Sequence, residues 1–508
     1  MLSHIIETGP ECARTDQEIS KPSVQPAWDH KDEITYMNWR LNQIILFALI
    51  IMLSSCVQVA QRDPKPPDLP AQFSQQGEET LLPDWWLTFN DAGLTRAIDT
   101  ALAGNLDLLA AHDRLMQAEA VARRVGAAKY PELDGRGLAR ETWTTREETD
   151  STTNLTLGLA ASYEVDLWGR VRSRTEAAVL DAERREADLQ TVAITITSEI
   201  GSIWYQIAEI IKEQELVLEQ RLLNEKILEI ITAQFRAGQV GVADVMQQKQ
   251  LIEGNNGELI VLKVRLFNLE QRLAILLGVM PGSTSLPRPN NLVELPPLPT
   301  TGLPVELLAK RPDIQSAYLA LLASDQRVAE AVANKFPTLS LSADVSTGGE
   351  QASDIFNNWI SSLAANLVGP IFDGGFRQAE VDRTQAVASE SFHQYGQTVL
   401  EAISEVETAL ILEQEQKQLI ENLKIRLDLA QATVERVGDR YRQGAQDYQR
   451  VLTALLSFQG LQTELLRARQ ELIDFRIGLY RSLGGRIDLP EMTLAAGQIS
   501  YGISDQED

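Results

Sequence analysis

Residues 155–167 read LTLGLAASYEVDL, so every second side chain from Leu155 to Leu167 is apolar. The side chains between them are small or polar, and a period of two residues predicts a β-strand with one apolar face and one polar face. Looser forms of this alternation occupy residues 133–143, 339–345 and 359–371. We therefore predict four strands in two hairpins, of the length that tilted transmembrane strands have, roughly 9 to 11 residues.

The chain around these strands is a duplication. Lys129-Tyr130-Pro131 recurs as Lys335-Phe336-Pro337, an offset of 335 − 129 = 206, and residues 235–238 recur at 441–444 with the same offset. So long a period indicates a duplicated subdomain rather than a solenoid. We predict a leader at 1–55, a lipid-anchored linker at 56–84, a first repeat at 85–280, a proline-rich linker at 281–304, a second repeat at 305–485 and an acidic tail at 486–508.

Each predicted strand hairpin is followed by a long stretch without proline, at 169–234 and 375–440. Apolar residues in the first stretch, Ile196, Ile200, Ile203, Ile207 and Ile210, are spaced 4, 3, 4, 3, which is typical of a coiled-coil seam. Such helices would be roughly 100 Å long at about 1.5 Å per residue. Each ends in a glycine-bearing turn and is followed by a returning helix.

An open sheet edge is not tolerated in lipid, because every backbone group there needs a hydrogen-bond partner. Four strands cannot close a barrel, so the chain must assemble with copies of itself, and three copies supply twelve strands and room for a solute. The predicted fold class is an α+β membrane channel-tunnel. Its trimeric twelve-strand β-barrel is continued by a long coiled-coil α-helical barrel.

The N-terminal region carries a candidate secretion signal. Ten apolar residues, 44–53, are too few to span a membrane but suit the core of a signal peptide. The following Ser-Ser-Cys56 resembles a bacterial lipobox, which implies acylation of Cys56 and attachment to outer-membrane lipid. Translation beginning at Met1 or at Met37 stays open.

Composition excludes several function classes. The formal net charge of −25 argues against nucleic-acid binding, which relies on Lys and Arg. Four scattered histidines and two N-terminal cysteines predict no metal site. We find neither a nucleotide-binding glycine-lysine loop nor a nucleophile elbow, and therefore predict no cofactor and no enzymatic activity.

Four ordered motifs resemble those of the outer-membrane efflux lipoproteins, the NodT-like branch of the TolC superfamily. They are Tyr163–Arg170 (YEVDLWGR), Arg311–Ile314 (RPDI), Lys335–Leu339 (KFPTL) and Pro370–Gly375 (PIFDGG). The resemblance implies a homotrimeric channel that docks a periplasmic adaptor, or membrane fusion protein, and an inner-membrane pump of the resistance-nodulation-division type.

The resemblance also suggests site residues. The turns would be adaptor-docking tips, formed by Gly238, Gln239, Val240, Gly241, Gly444, Ala445 and Gln446. Asp447 and Arg450 would line the periplasmic aperture. Two structural alternatives stay open: Gly238 and Gly444 as helix caps, and Asp447 as a helix-start residue that complements the helix dipole.

Two other functions fit parts of this pattern. A coiled-coil lipoprotein without a pore would have the long helices and the lipobox, but it would not need the alternating strands. A periplasmic adaptor would also be lipidated and hairpin-bearing, but it would carry a single hairpin between β-rich segments. The leading prediction is the outer-membrane channel of a tripartite efflux system.

Overall fold

The computed structural model describes residues 69–78, 84–145, 149–282, 287–289 and 291–490. The first repeat contains helices α1 (Ala92–Gly104) and α2 (Leu106–Gly126), strands β1 (Glu132–Thr145) and β2 (Thr149–Val165), and helices α3 (Arg170–Arg236) and α4 (Val242–Leu276). The second contains α5 (Pro304–Lys310), α6 (Pro312–Ala333), β3 (Thr338–Gly349), β4 (Trp359–Val368), α7 (Phe376–Arg442) and α8 (Tyr448–Leu483). The predicted duplication is confirmed element by element.

The four strands form one antiparallel sheet in the order β1-β2-β3-β4. The two hairpins of the sequence prediction are joined by β2 and β3, in a register that places Val165 opposite Leu339. The apolar alternation predicted as far as Ile371 ends as a strand at Val368, because Pro370 has no amide hydrogen to donate to a ladder. β2 likewise ends at Val165 rather than at Leu167.

A glycine lies at each change from sheet to long helix. Gly169 and Gly375 have φ of +78° and +88°, a left-handed conformation that side chains with a Cβ rarely adopt. Just before the first helix, the Asp166 carboxylate accepts hydrogen bonds from the backbone N–H groups of Val171 (3.0 Å) and Arg172 (2.8 Å). An acidic group suits this place, since the amides of the first helical turn lack partners within the helix.

The main apolar core lies where the middle of α3 meets α1 and the C-terminal third of α8. Trp204 is fully buried there, and its indole Nε1 donates to Asp91 (2.9 Å). Trp85 stacks on Tyr480, with ring centroids 5.5 Å apart. All five isoleucines of the predicted α3 seam are buried. The first four face this core, and Ile210 packs in the adjacent cluster with Val217 and Leu262.

The long helices also match the prediction in length. α3 and α7 each contain 67 residues, which corresponds to roughly 100 Å at about 1.5 Å per residue. Within the described residues, no helix is both long enough and apolar enough to cross a membrane.

Candidate functional site at the helical hairpin tips

The two long helices end in the same turn. In the first, the N–H of Gln239 donates to Gln234 O and that of Gly238 to Phe235 O, both at 2.9 Å. This is a Schellman cap, and it requires the left-handed φ of +72° at Gly238. The second turn repeats both bonds at 2.9 Å, with Gly444 at φ +73°. The helix-cap interpretation of both glycines is thus correct, whatever else the turns bind.

The returning helices begin with identical backbone geometry but with different chemistry. Gly241 and Asp447, the residues preceding α4 and α8, share φ −83° and ψ 161°. Gly241 donates its N–H to the Asp244 carboxylate (3.1 Å), whereas the Asp447 carboxylate accepts from the backbone N–H of Arg450 (3.2 Å). Asp447 therefore serves as a helix-start residue in the single chain, and its contact with Arg450 is to the main chain.

A contact that the sequence did not suggest joins the two tips. Tyr441 and Tyr448 of the second hairpin donate their hydroxyl groups to Gln234 and Gln248 of the first. Apolar residues complete the contact, with Ile231, Val245, Tyr448 and Leu452 forming a buried cluster. The available signal was the pair of tyrosines on either side of the second turn, where the first repeat has Phe235 and Val242.

The environment of these tyrosines keeps them protonated. Burial raises the pKa of Tyr448, and Tyr441 and Asp244 raise it further. Burial and the Asp244 carboxylate also raise the pKa of Tyr441. Both hydroxyl groups therefore remain hydrogen-bond donors throughout the physiological pH range, and they hold the two tips together as one surface.

The turns themselves face solvent in the single chain. Most of the seven predicted docking residues are exposed, whereas Val240 and Gln446 are half-buried. Asp447 and Arg450 are exposed as well. The fold thus brings all the predicted tip residues together at one end of the two helical hairpins. Cys56, the predicted lipidation site, lies outside the described residues.

A second polar feature lies further along the helices. Glu213 on α3 is fully buried and accepts a hydrogen bond from Arg467 on α8, which also lies 4.0 Å from Glu209. Burial raises the pKa of Glu209 to about 8, and the adjacent Glu213 carboxyl adds to the shift. The sequence pattern gave no sign that these two glutamates are buried, because most other acidic residues of α3 are at least partly exposed to solvent.

In the part of the chain that the structure describes, no three His, Cys, Asp or Glu side chains are grouped so as to hold an ion.

A four-stranded sheet that continues directly into two helical hairpins of this length defines the class of outer-membrane channel-tunnels. The family model described as outer membrane efflux protein matches residues 97–279 and 303–485. The chain belongs to this family. The two matched segments coincide with the two structural repeats.

Individual relatives agree with this assignment. The pyoverdine export outer membrane protein OpmQ of Pseudomonas aeruginosa is 30% identical over 413 residues, which cover 79% of this chain and 87% of that protein. Nodulation protein T of Rhizobium leguminosarum bv. trifolii is 29% identical over 441 residues, which cover 83% and 92%.

Solved structures agree as well. The outer-membrane channel OprN superimposes with a TM-score of 0.80 at 25% identity, covering 84% of this chain and 99% of that one. CusC superimposes with a TM-score of 0.76 at 27% identity, with the same coverage. The protein is the outer-membrane channel of a tripartite efflux system, as predicted, and the spacer and adaptor alternatives are not supported. Members of the family are channel proteins.

Proposed function

We propose that three copies of this chain form a lipid-anchored efflux duct. Their strands together make a closed twelve-strand β-barrel in the outer membrane. The observation that carries the proposal is the sheet itself, in which β1 and β4 are edge strands. Side chains on β4 are exposed throughout, with Leu363 at 84% and Leu367 at 63%. Unpaired edges and an apolar face are compatible with lipid only once neighbouring copies pair with those edges.

The hairpin tips would dock a periplasmic adaptor, which in turn binds an inner-membrane pump of the resistance-nodulation-division type. Gly238–Gly241 and Gly444–Gln446 support this role because they lie together at one end of the helices and most of them face solvent. Their Schellman caps and the tyrosine bonds between the hairpins make a preformed surface. A preformed surface loses little conformational entropy on binding.

Asp447 and Arg450 would lie at the periplasmic aperture. In a trimer each residue is present three times around one axis, so a ring of three Asp447 carboxylates, which attract cations, would lie next to a ring of three Arg450 guanidinium groups. The exposure of both side chains at the tip supports this position.

The anchor would be Cys56, acylated after removal of the leader, with residues 56–84 linking it to the first repeat. We also propose that the first repeat ends at 280, the proline-rich linker at 304 and the second repeat at 485, as the sequence predicts. Relatives named for pyoverdine, cation and toluene efflux span unlike solutes. We therefore assign solute choice to the pump. We also propose that the chain is a passive duct without catalytic activity, as expected for a member of a family of channel proteins.

Native mass spectrometry of protein extracted from membranes in detergent tests the proposal. The expected species contains three chains, each beginning at an acylated Cys56. The Cys56→Ala variant should lose the acyl mass, whereas Cys12→Ala should not. A monomer would contradict the barrel, and a trimer that begins elsewhere would contradict only the anchor.

A further inference from the structure

The contacts between repeats follow a cyclic order that the single chain leaves incomplete. α2 packs against α3, α3 against α6, and α6 against α7. Because α2 and α6 are equivalent, as are α3 and α7, the α2–α3 and α6–α7 contacts are two examples of one kind. The α3–α6 contact is of a second kind, and its other example would join α7 to an α2. Since α2 and α7 end this series, the α2 must come from another copy.

The offset of 206 residues predicts which side chains would meet there. It places α6 on α2 and α3 on α7, with the helix-start residues Arg311 and Asn105 in register. Each contact between α3 and α6 can therefore be translated into an expected contact between α7 of one copy and α2 of the next. Two such translations, and a third from a contact just beyond the ends of these helices, give chemically complementary pairs.

The first is an ion pair whose sign is reversed. Arg174 on α3 lies 4.0 Å from Glu330 on α6. Adding 206 to the first position gives Glu380, and subtracting 206 from the second gives Arg124. The cation and the anion have exchanged helices, so attraction is kept. In the single chain Arg124 is exposed, and Glu380 bonds Arg383 on its own helix (2.8 Å).

The second translation replaces an ion pair by an apolar pair. Arg327 on α6 bonds Asp181 on α3. The equivalent positions hold Val121 on α2 and Val387 on α7. These valines are 43% and 38% exposed in the single chain. Both positions of the equivalent pair hold apolar residues, so the predicted contact would leave no charged side chain without a partner.

The third translation joins aromatic rings where the sheet meets the helices. Trp168 stacks on Phe336, with ring centroids 4.8 Å apart and an interplanar angle of 25°. Their counterparts are Phe372, at an offset of 372 − 168 = 204, and Tyr130. Phe372 is 91% exposed and Tyr130 is 73% exposed. These two large rings lie at opposite edges of one chain. A contact between copies would bury both of them.

The far end of the helices follows the same rule. Tyr441, Tyr448 and Leu452 of the second hairpin are partly or fully buried against the first. Their counterparts in the first hairpin are Phe235, Val242 and Met246, which are 42%, 52% and 64% exposed. This apolar face is therefore covered in the second hairpin, by the first hairpin of the same chain. The equivalent face of the first hairpin is exposed in the single chain.

We propose that a seam joins neighbouring copies, in which the N-terminal part of α7 packs against α2 of the next copy. In this seam Glu380 pairs with Arg124, Val387 with Val121 and Phe372 with Tyr130, the second residue of each pair belonging to the neighbouring copy. The proposal rests on the trimer proposed above, and it names the surfaces and residues that build it.

The sign reversal also gives the seam its specificity. If α3 met the α2 of another copy, Arg174 would face Arg124, and if α7 met a foreign α6, Glu380 would face Glu330. Like charges placed opposite each other disfavour both wrong contacts. Each long helix therefore has one correct partner, although the two repeats share one fold.

Disulfide crosslinking of the full-length protein in membranes tests the seam. Oxidised Val121→Cys/Val387→Cys is expected to give covalently linked dimers and trimers on non-reducing gels. Each single variant controls for the native Cys12 and Cys56. Asp181→Cys/Arg327→Cys is the matched control at the equivalent contact within one chain, and it should yield a crosslinked monomer.

Absence of linked chains in the double variant, while native mass spectrometry still detects trimers, would overturn the seam and leave the trimer standing. Absence of trimers before oxidation would overturn the trimer itself.

A charge exchange provides an independent measurement. Arg124→Glu and Glu380→Arg each place like charges opposite each other and should lower the fraction of trimer about fivefold. The combined variant should restore it. A combined variant no better than either single one would contradict the ion pair.

Discussion

Arg476 on α8 bonds Glu413 on α7 with 2.6 Å between Nη2 and Oε1, and both side chains are almost completely removed from solvent. The same guanidinium donates to the carbonyl groups of Pro296 (2.8 Å) and Pro297 (3.0 Å) in the linker between the repeats. Burial raises the pKa of Glu413, but the hydrogen bonds from Arg476 and Lys417 outweigh it, so the pKa is lowered. One side chain thus ties the second hairpin to the proline-rich linker.

Arg476→Ala should lower the free energy of unfolding by about 3–5 kcal/mol, because it leaves a buried carboxylate without its main partner. Denaturant titration of the detergent-solubilised protein measures this. Lys417→Ala is the matched control, since Lys417 bonds the same carboxylate from a side chain that is 51% exposed. It should cost less than about 1 kcal/mol. Equal losses in the two variants would contradict the importance of burial.

Glu209 should make stability depend on pH. Its pKa is raised from 4.5 to about 8 by burial and by Glu213, so between those values the folded protein binds more protons than the unfolded chain. The free energy of unfolding should therefore fall as pH rises through this window, by at most about 1.4 kcal/mol per pH unit. Glu209→Gln keeps a hydrogen-bond donor for Glu213 and cannot ionise, and it should flatten this part of the profile.

Thermal unfolding midpoints recorded from pH 5 to 9 provide the measurement. Glu415→Gln makes the same change at the equivalent position of α7, where the side chain is exposed, and should leave the slope as in the unaltered protein. An unchanged slope in Glu209→Gln would show that other groups carry the pH dependence.

Alanine at the two turn glycines should strain the tips. Gly238 and Gly444 have φ above +70°, where a Cβ costs roughly 1–2 kcal/mol, although no neighbouring atom of the chain lies within 4 Å of that Cβ. Gly238→Ala and Gly444→Ala should therefore weaken crosslinking to the adaptor while the trimer still assembles. Gly254→Ala and Gly460→Ala, also an equivalent pair, lie inside helices and should leave crosslinking unchanged. Loss of the trimer before loss of crosslinking would count against docking.

Two substitutions separate the possible roles of Asp447. Asn is as good a helix-start residue as Asp, so Asp447→Asn should retain stability within about 0.5 kcal/mol while it removes the charge. Asp447→Ala removes both and should cost about 1 kcal/mol. If Asp447 lines the aperture, both variants should lower cation selectivity in single-channel recordings. Unchanged selectivity in Asp447→Asn would leave Asp447 only its place at the start of α8.

Local patterns in the sequence were sufficient for the elements of the fold. The alternation from Leu155 and the 4, 3 spacing of isoleucines from Ile196 predict strand and helix, because each depends on the residue's own backbone geometry. Gly238 and Gly444 were predictable in the same way, since a left-handed cap is a demand on one residue. The duplication also made the order of elements in the second repeat predictable from the first.

Pairings between distant residues were decided only by the tertiary structure. Arg476 and Glu413, or Tyr448 and Gln248, are joined because helices from different parts of the chain pack side by side, and helical spacing within one segment carries no information about its neighbour. The raised pKa of Glu209 has the same origin, because burial depends on what α8 places over α3. The sequence by itself therefore determined the strands, helices, turns and their repetition. Tertiary packing decided which charges are buried, which tyrosines join the tips, and which faces one chain leaves exposed.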